Sequence, residues 1–269
     1  MELIWESLGD VRVPRMSFGA ASGRPVLLLP GLTDGLAPIT DPRARQQLGD
    51  PPAELLEDHR VHVVSHRFPM TPALTTRTLA LDAATLLEQL VDRPAVIVAH
   101  SMGAMVAQHL AADRPDLVDS LVLSCTVGRA DASFREALAR WEVLVRAGRW
   151  REFFADAIDR SYTGSDRLRR RVAQRVLPVE APDAELQQRH LALTEACRTH
   201  DALDRLAGVR APALVLAGAR DEVTGPHHAR EIGEVLPSAT VEVWDGLGHG
   251  LPEQGRARFD RRIRRFLEE

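Results

Sequence analysis

Residues 95–103, AVIVAHSMG, decide the fold of this chain. The first five form a continuous apolar run, which is typical of a strand buried on both faces of a sheet. The next segment, Met102 to Asp113, has a helical pattern and stops at Arg114-Pro115. A serine between such a strand and helix lies on a tight turn, with its hydroxyl at the carboxyl edge of the sheet. Ser101 is therefore a candidate nucleophile, although a serine here can also simply cap the helix.

The rest of the chain alternates short apolar runs with helical periodicity. This alternation predicts an α/β fold with a mostly parallel sheet and helices on both faces. The further strands are predicted at 26–29, 61–64, 121–123, 213–217 and 241–244, and the intervening helices at 79–90 and 229–236. A final amphipathic helix carries Phe259, Ile263 and Phe266 on one side.

The alternation is interrupted once. From Val127 to about Arg205 the pattern is helical and contains no convincing strand. The economical interpretation is one α/β core, formed by residues 1–126 and 206–269, with a helical cap at 127–205 that lies over it.

Composition excludes several classes of function. A net charge of -4 argues against nucleic-acid binding, and no apolar run approaches the roughly 20 residues of a membrane span. The segment Met1–Asp10 lacks the apolar core of a secretory signal, so we expect a cytoplasmic protein. We also expect its partner to be a small-molecule substrate. All 34 basic residues are arginine, which excludes a pyridoxal Schiff base or a P-loop lysine. We expect no cofactor and no metal.

A serine nucleophile needs a base, and the ten histidines offer several. His249 lies in a glycine-rich loop, residues 245–250, directly after the last predicted strand. The flanking glycines allow the backbone to carry its imidazole over the sheet edge. In contrast, His227 and His228 open a helix after Pro226 and are expected to face solvent. His249 is therefore the preferred base.

The histidine in turn needs a carboxylate that fixes its tautomer. Asp221 follows the strand at 213–217 through Gly218-Ala219-Arg220, again at a carboxyl edge. Asp131, after the fourth strand, is the rival candidate. The order Ser101, Asp221, His249 is the order expected of a nucleophile-elbow hydrolase.

An oxyanion hole is the fourth expected element. The first buried strand runs into a glycine-containing loop at residues 30–35, PGLTDG. The backbone N–H groups of Leu32 and Met102 are the candidates for stabilising a negative carbonyl oxygen there. The alternative is a plain turn after a strand.

Four motifs together resemble the α/β-hydrolase superfamily, and within it the capped bacterial esterase, enol-lactonase and cofactor-free haloperoxidase-like branch. They are the turn at Ser101 and the segments 30–32, 218–221 and 246–249. The resemblance implies that Ser101 is the nucleophile, Asp221 the acid and His249 the base, with Leu32 and Met102 as oxyanion donors. Two departures are Pro30, where this family often has histidine, and Ala99 in place of the elbow's first glycine.

The leading interpretation is a serine hydrolase that cleaves a carboxylic ester or lactone through an acyl-enzyme. The predicted cap contains three aromatic residues of interest, Trp141, Trp150 and Phe153. They either line an apolar pocket for an apolar or ring-bearing substrate or pack the cap onto the core. Alternatives with the same triad are thioester hydrolysis, carbon–carbon cleavage and peracid formation. A different class is a non-catalytic binding protein on this scaffold. Epoxide and haloalkane hydrolases of this superfamily use an aspartate at the position of Ser101. The serine here therefore argues against these two activities.

Overall fold

The computed structural model describes residues 2–41, 58–71 and 73–269. An eight-stranded sheet with the order β1-β2-β4-β3-β5-β6-β7-β8 forms its centre. The strands are β1 (Ile4–Leu8), β2 (Val11–Gly19), β3 (Arg24–Leu29), β4 (His59–Val64), β5 (Ala95–His100), β6 (Val118–Ser124), β7 (Ala213–Gly218) and β8 (Ala239–Trp244). The six strands β3 to β8 are parallel, which confirms the predicted fold class.

Strands β1 and β2 were not predicted from the sequence. They form an antiparallel hairpin, and β2 joins the sheet antiparallel to β4. The burial along β1 alternates between half-buried and exposed positions. Its apolar signal is therefore weaker than that of the central strands, which are buried on both faces.

Helices cover both faces of the sheet. They are α1 (Thr76–Leu90), α2 (Met102–Asp113), α3 (Ala132–Arg146), α4 (Trp150–Ser161), α5 (Gly164–Val176), α6 (Ala184–Arg198), α7 (His227–Val235), α8 (Leu251–Gln254) and α9 (Arg256–Glu268). Because side chains alternate along a strand, Ile97 packs in one apolar cluster with α1 and α2, while Val96 packs in another with α9. Among the described residues, no helix has the length and apolar character needed to cross a bilayer.

The segment between β6 and β7 is helical, as expected. It contains α3 to α6 and no strand between Ser124 and Ala213, a stretch that the structure describes throughout. The first of these helices begins at Ala132 and the last ends at Arg198. The limits of a separate cap at residues 127 and 205 remain a prediction.

A buried ion pair joins this helical segment to the loop after β3. Arg189 of α6 lies 2.5 Å from the Asp34 carboxylate, and both side chains are 2% exposed. The same guanidinium donates to the carbonyl oxygens of His66 and Arg67 and lies over the Phe68 ring. A buried charge is tolerated only when it is paired and its donors are satisfied. This cluster meets both conditions.

Removing the charge of Asp34 should therefore destabilise the whole protein. Asp34→Asn leaves Arg189 as an uncompensated buried cation, and such changes cost about 3–5 kcal/mol. Urea denaturation followed by circular dichroism measures the loss. The control is Asp119→Asn, which breaks the half-exposed pair with Arg24 and should cost less than about 1 kcal/mol. Equal losses in the two variants would contradict the role assigned to the pair.

Candidate active site

Ser101 lies on a sharp turn between β5 and α2. Its backbone has φ 54° and ψ −119°, a conformation that L-residues adopt rarely. The Ser101 N–H donates to the Ser124 carbonyl oxygen at 2.8 Å, which holds the turn against β6. Two residues later, a Cβ on Gly103 would lie 2.3 Å from the Leu29 carbonyl oxygen. Only glycine permits α2 to begin this close to the end of β3.

The structure brings His249 to this serine. Its Nε2 lies 3.0 Å from the Ser101 Oγ, within hydrogen-bond distance. Gly246, with φ +76°, turns the loop after β8 toward the sheet edge. The helical segment holds this loop in place, because the Gly250 N–H donates to the Ser161 carbonyl oxygen at 2.8 Å. The sequence analysis had not identified that contact.

Asp221 lies on the far side of the imidazole. Its Oδ2 is 2.9 Å from His249 Nδ1, and because a carboxylate can only accept, Nδ1 carries the proton and Nε2 faces Ser101 as an acceptor. The backbone N–H groups of Val223 and Thr224 and the Thr224 hydroxyl also donate to this carboxylate. Burial opposes its ionisation, but His249 and these donors lower the pKa of Asp221 well below its usual range.

The rival carboxylate, Asp131, has a different place. It caps α3 by accepting the Phe134 N–H at 2.8 Å, and its other oxygen faces His227 and His228. The expectation that both of these histidines face solvent is wrong for His228, whose side chain is 1% exposed. It points inward from the first turn of α7, because residues that begin a helix still contribute to its buried face.

The two expected oxyanion donors begin helices beside Ser101. Met102 is the first residue of α2, and Leu32 is the first residue of a 3₁₀ helix that runs from Leu32 to Gly35. The first N–H groups of a helix have no acceptor within the helix. A Cβ on Gly31 would lie 3.3 Å from the Ser101 Cβ, so the loop passes directly beside the serine. Both groups are thus placed near the Ser101 hydroxyl, and their role as donors remains a prediction.

Two further residues at the site escaped the sequence analysis. His100 points its Nδ1 at the Ser124 hydroxyl, 3.1 Å away, and its ring centroid lies 5.1 Å from that of His249. Burial lowers the pKa of His100 to about 3, so it adds no positive charge beside His249 at neutral pH. Cys125, with φ 49°, is buried against Asp221. Burial and the Asp221 charge raise the pKa of its thiol, which stays protonated.

The aromatic residues predicted to contact substrate form a cluster of their own. Trp141 and Trp150 each pack edge-on against Phe153, and all three are buried. The indole N–H of Trp141 donates to Asp156 at 2.8 Å. Phe153 also contacts the His190 ring, which lies directly against Gly35 of the loop after β3. Of the three, Phe153 is therefore connected to the residues around Ser101.

Two groups of side chains have the spacing of metal ligands among the described residues. Cys125, Asp221 and His249 offer ligand atoms within 4.8 Å of one another, as do Asp131, His227 and His228. The first group is occupied by the hydrogen bonds just described and contains a protonated thiol. The second lies outside this site. Neither group was predicted from the sequence, since each combines residues from segments that are far apart along the chain.

Comparison with known protein families identifies the class of protein. The sequence profile of the alpha/beta hydrolase fold matches residues 24–255, and the chain belongs to this family. Over 188 residues it is 30% identical to BpoC of Mycobacterium tuberculosis, which is named as a non-heme bromoperoxidase; the match covers 65% of this chain and 68% of BpoC.

Two further relatives carry the names of hydrolases. A pimeloyl-(acyl-carrier protein) methyl ester esterase of Neisseria meningitidis is 29% identical over 164 residues, which is 59% of this chain and 63% of the esterase. The enol-lactonase from Burkholderia xenovorans LB400 superimposes with a TM-score of 0.81 at 19% identity, over 99% of this chain and 100% of that one. The likeness to the lactonase concerns the fold alone.

Proposed function

We propose that this protein is a serine hydrolase that cleaves a carboxylic ester or lactone through an acyl-enzyme. The observation that carries the proposal is the continuous hydrogen-bonded chain from Ser101 Oγ to His249 Nε2, 3.0 Å, and from His249 Nδ1 to Asp221, 2.9 Å. A binding protein would have no need of this arrangement, in which the serine hydroxyl faces the imidazole nitrogen that is not bonded to Asp221. The name of the Neisseria relative, a methyl ester esterase, also favours an ester substrate.

The first half of the reaction transfers the acyl group to the enzyme. His249 Nε2 accepts the hydroxyl proton while Ser101 Oγ attacks the carbonyl carbon. The negative charge that develops on the carbonyl oxygen is stabilised by the N–H groups of Leu32 and Met102. Asp221 stabilises the imidazolium. His249 then donates its proton to the departing alkoxide, and the alcohol leaves.

The second half regenerates the enzyme. A water molecule gives a proton to His249 Nε2 and attacks the acyl carbon, so that the acid leaves and Ser101 recovers its hydroxyl proton. Hydrogen peroxide attacking the same acyl carbon would give a peracid instead. The name of BpoC, a non-heme bromoperoxidase, favours this peracid reaction as a second candidate function.

The substrate's apolar part is proposed to lie against the helical segment. Phe153 reaches the loop that carries Leu32 through the buried ring of His190. Burial lowers the pKa of His190 to about 4, so this wall is uncharged at neutral pH. An uncharged wall of aromatic rings suits an apolar or ring-bearing acyl group.

Ser101→Ala should abolish hydrolysis without unfolding the protein. The expected fall in kcat with a nitrophenyl ester is on the order of 10⁴-fold or more, because the members of a triad act together. Labelling with a fluorophosphonate should be lost as well. The matched control is Ser7→Ala, at an exposed position of β1, which should label and turn over like wild type. Undiminished turnover by a folded Ser101→Ala variant would refute the assignment of the nucleophile.

The two candidate acids can be separated by matching substitutions. Asp221→Asn should reduce kcat by roughly 10⁴-fold, because an amide donor facing Nδ1 favours the wrong tautomer of His249. Asp131→Asn keeps an oxygen that can cap α3, so its kcat should stay close to that of wild type. Steady-state kinetics of both variants test this. If the Asp131 variant is the inactive one, the acid has been misassigned.

The apolar wall should affect substrate preference and not the chemistry. Phe153→Leu should raise KM for ring-bearing esters by about tenfold and leave kcat nearly unchanged, because an apolar surface binds substrate and transition state alike. Phe154→Leu, one residue along the same helix and half-buried, is the control. KM and kcat for phenyl and short-chain esters are compared, with melting temperatures for folding. An identical profile in both variants would place the pocket elsewhere.

A further inference from the structure

Three side chains outside the proposed active site converge on one point of the surface. Asp131 lies at the start of α3, and His227 and His228 form the first turn of α7. Asp131 Oδ2 is 3.3 Å from His227 Nε2 and 3.4 Å from His228 Nε2. The two imidazole rings lie side by side, with centroids 4.1 Å apart.

His228 directs one buried ring nitrogen at Asp131. Its Nδ1 lies 2.8 Å from the Glu231 carboxylate, which can only accept, so Nδ1 carries the proton. The other ring nitrogen, Nε2, lies 3.4 Å from Asp131 Oδ2. That nitrogen is buried, has no hydrogen-bond partner and faces the Asp131 carboxylate. A cation placed between Nε2 and this carboxylate would be attracted to both groups.

Hydrogen bonds also fix the orientation of the Asp131 carboxylate. Its Oδ1 accepts the Phe134 N–H at 2.8 Å and the Ser133 hydroxyl at 2.9 Å, which turns Oδ2 toward the histidines. Oδ2, which also lies 3.1 Å from the Ser133 hydroxyl and 3.3 Å from His227 Nε2, is therefore the oxygen that faces the two histidines.

We propose that Asp131, His227 and His228 bind a zinc ion, with solvent in the fourth position. Two ligand atoms on a tetrahedral zinc ion, each about 2.0–2.1 Å from the metal, lie about 3.3–3.4 Å apart. The observed separations of 3.3 and 3.4 Å match this geometry. A histidine that binds a metal usually donates its other N–H to a carboxylate, as His228 does to Glu231. His227 is half-exposed, which gives the ion access from solvent.

The backbone before the histidines makes room for this arrangement. Gly225 has φ +74°, and a Cβ there would lie 2.7 Å from the His227 ring. The zinc ion would join the start of α3 to the start of α7, two elements that are 96 residues apart. Its role is therefore a cross-link between the helical segment and the sheet domain, separate from the chemistry at Ser101.

The test is a zinc titration of the full chain after treatment with a chelator. Wild type should bind one Zn²⁺ per chain in competition with a chromophoric chelator, and its melting temperature should rise, because a ligand that binds only the folded state stabilises it. His227→Gln and Asp131→Asn should each weaken binding by more than about 100-fold, beyond the effect of losing an outer-shell partner. Glu234→Gln, an exposed carboxylate on α7, should bind like wild type.

A second measurement reports the geometry of the site. Co²⁺ in place of Zn²⁺ should give the intense visible absorption of a tetrahedral ion, and His227→Gln should remove it. Ester hydrolysis by the metal-free protein should be unchanged, so this result is independent of the proposed catalytic activity. The proposal is overturned if wild type binds no zinc saturably. It is equally overturned if both variants bind as tightly as wild type, since the ion then lies elsewhere, for example beside Cys125.

Discussion

The close contact between Gly103 and the end of β3 is the constraint on which the proposed site depends. Because no side chain separates them, α2 begins directly at the carboxyl edge of the sheet and Ser101 occupies the turn with φ 54°. Close backbone contacts at glycines recur at the neighbouring loops. Gly31 approaches the Ser101 Cβ, and a Cβ on Gly218 would lie 2.4 Å from the Gly248 carbonyl oxygen. Backbones that touch in this way hold three loops within hydrogen-bond distance of one another.

The helical segment between β6 and β7 takes part in this construction at two points. Arg189 holds the loop that carries Leu32, and the Ser161 carbonyl oxygen accepts from the loop that carries His249. The helical segment, which the sequence pattern shows as an insertion, therefore also holds the loops of the proposed oxyanion donor Leu32 and the proposed base His249.

Much of this arrangement could be predicted from the sequence. The central strands are buried on both faces and have apolar sequences, and Ser101 and Asp221 each follow such a strand. His249 follows the edge strand β8. The features that were missed depend on partners far along the chain. Arg189 looks like any helical arginine until Asp34 is placed beside it, and the inward position of His228 follows from the packing of α7.

The Asp34–Arg189 pair also has a consequence for the order in which the protein can be assembled. The ribosome synthesises a protein from its N-terminus, and Asp34 precedes Arg189 by 155 residues. A growing chain that already contains Ser101 still lacks the cation that permits Asp34 to be buried. The loop beside the serine cannot be completed until α6 has emerged. This loop, which directly follows β3, is therefore completed only after the residues of α6 have been synthesised.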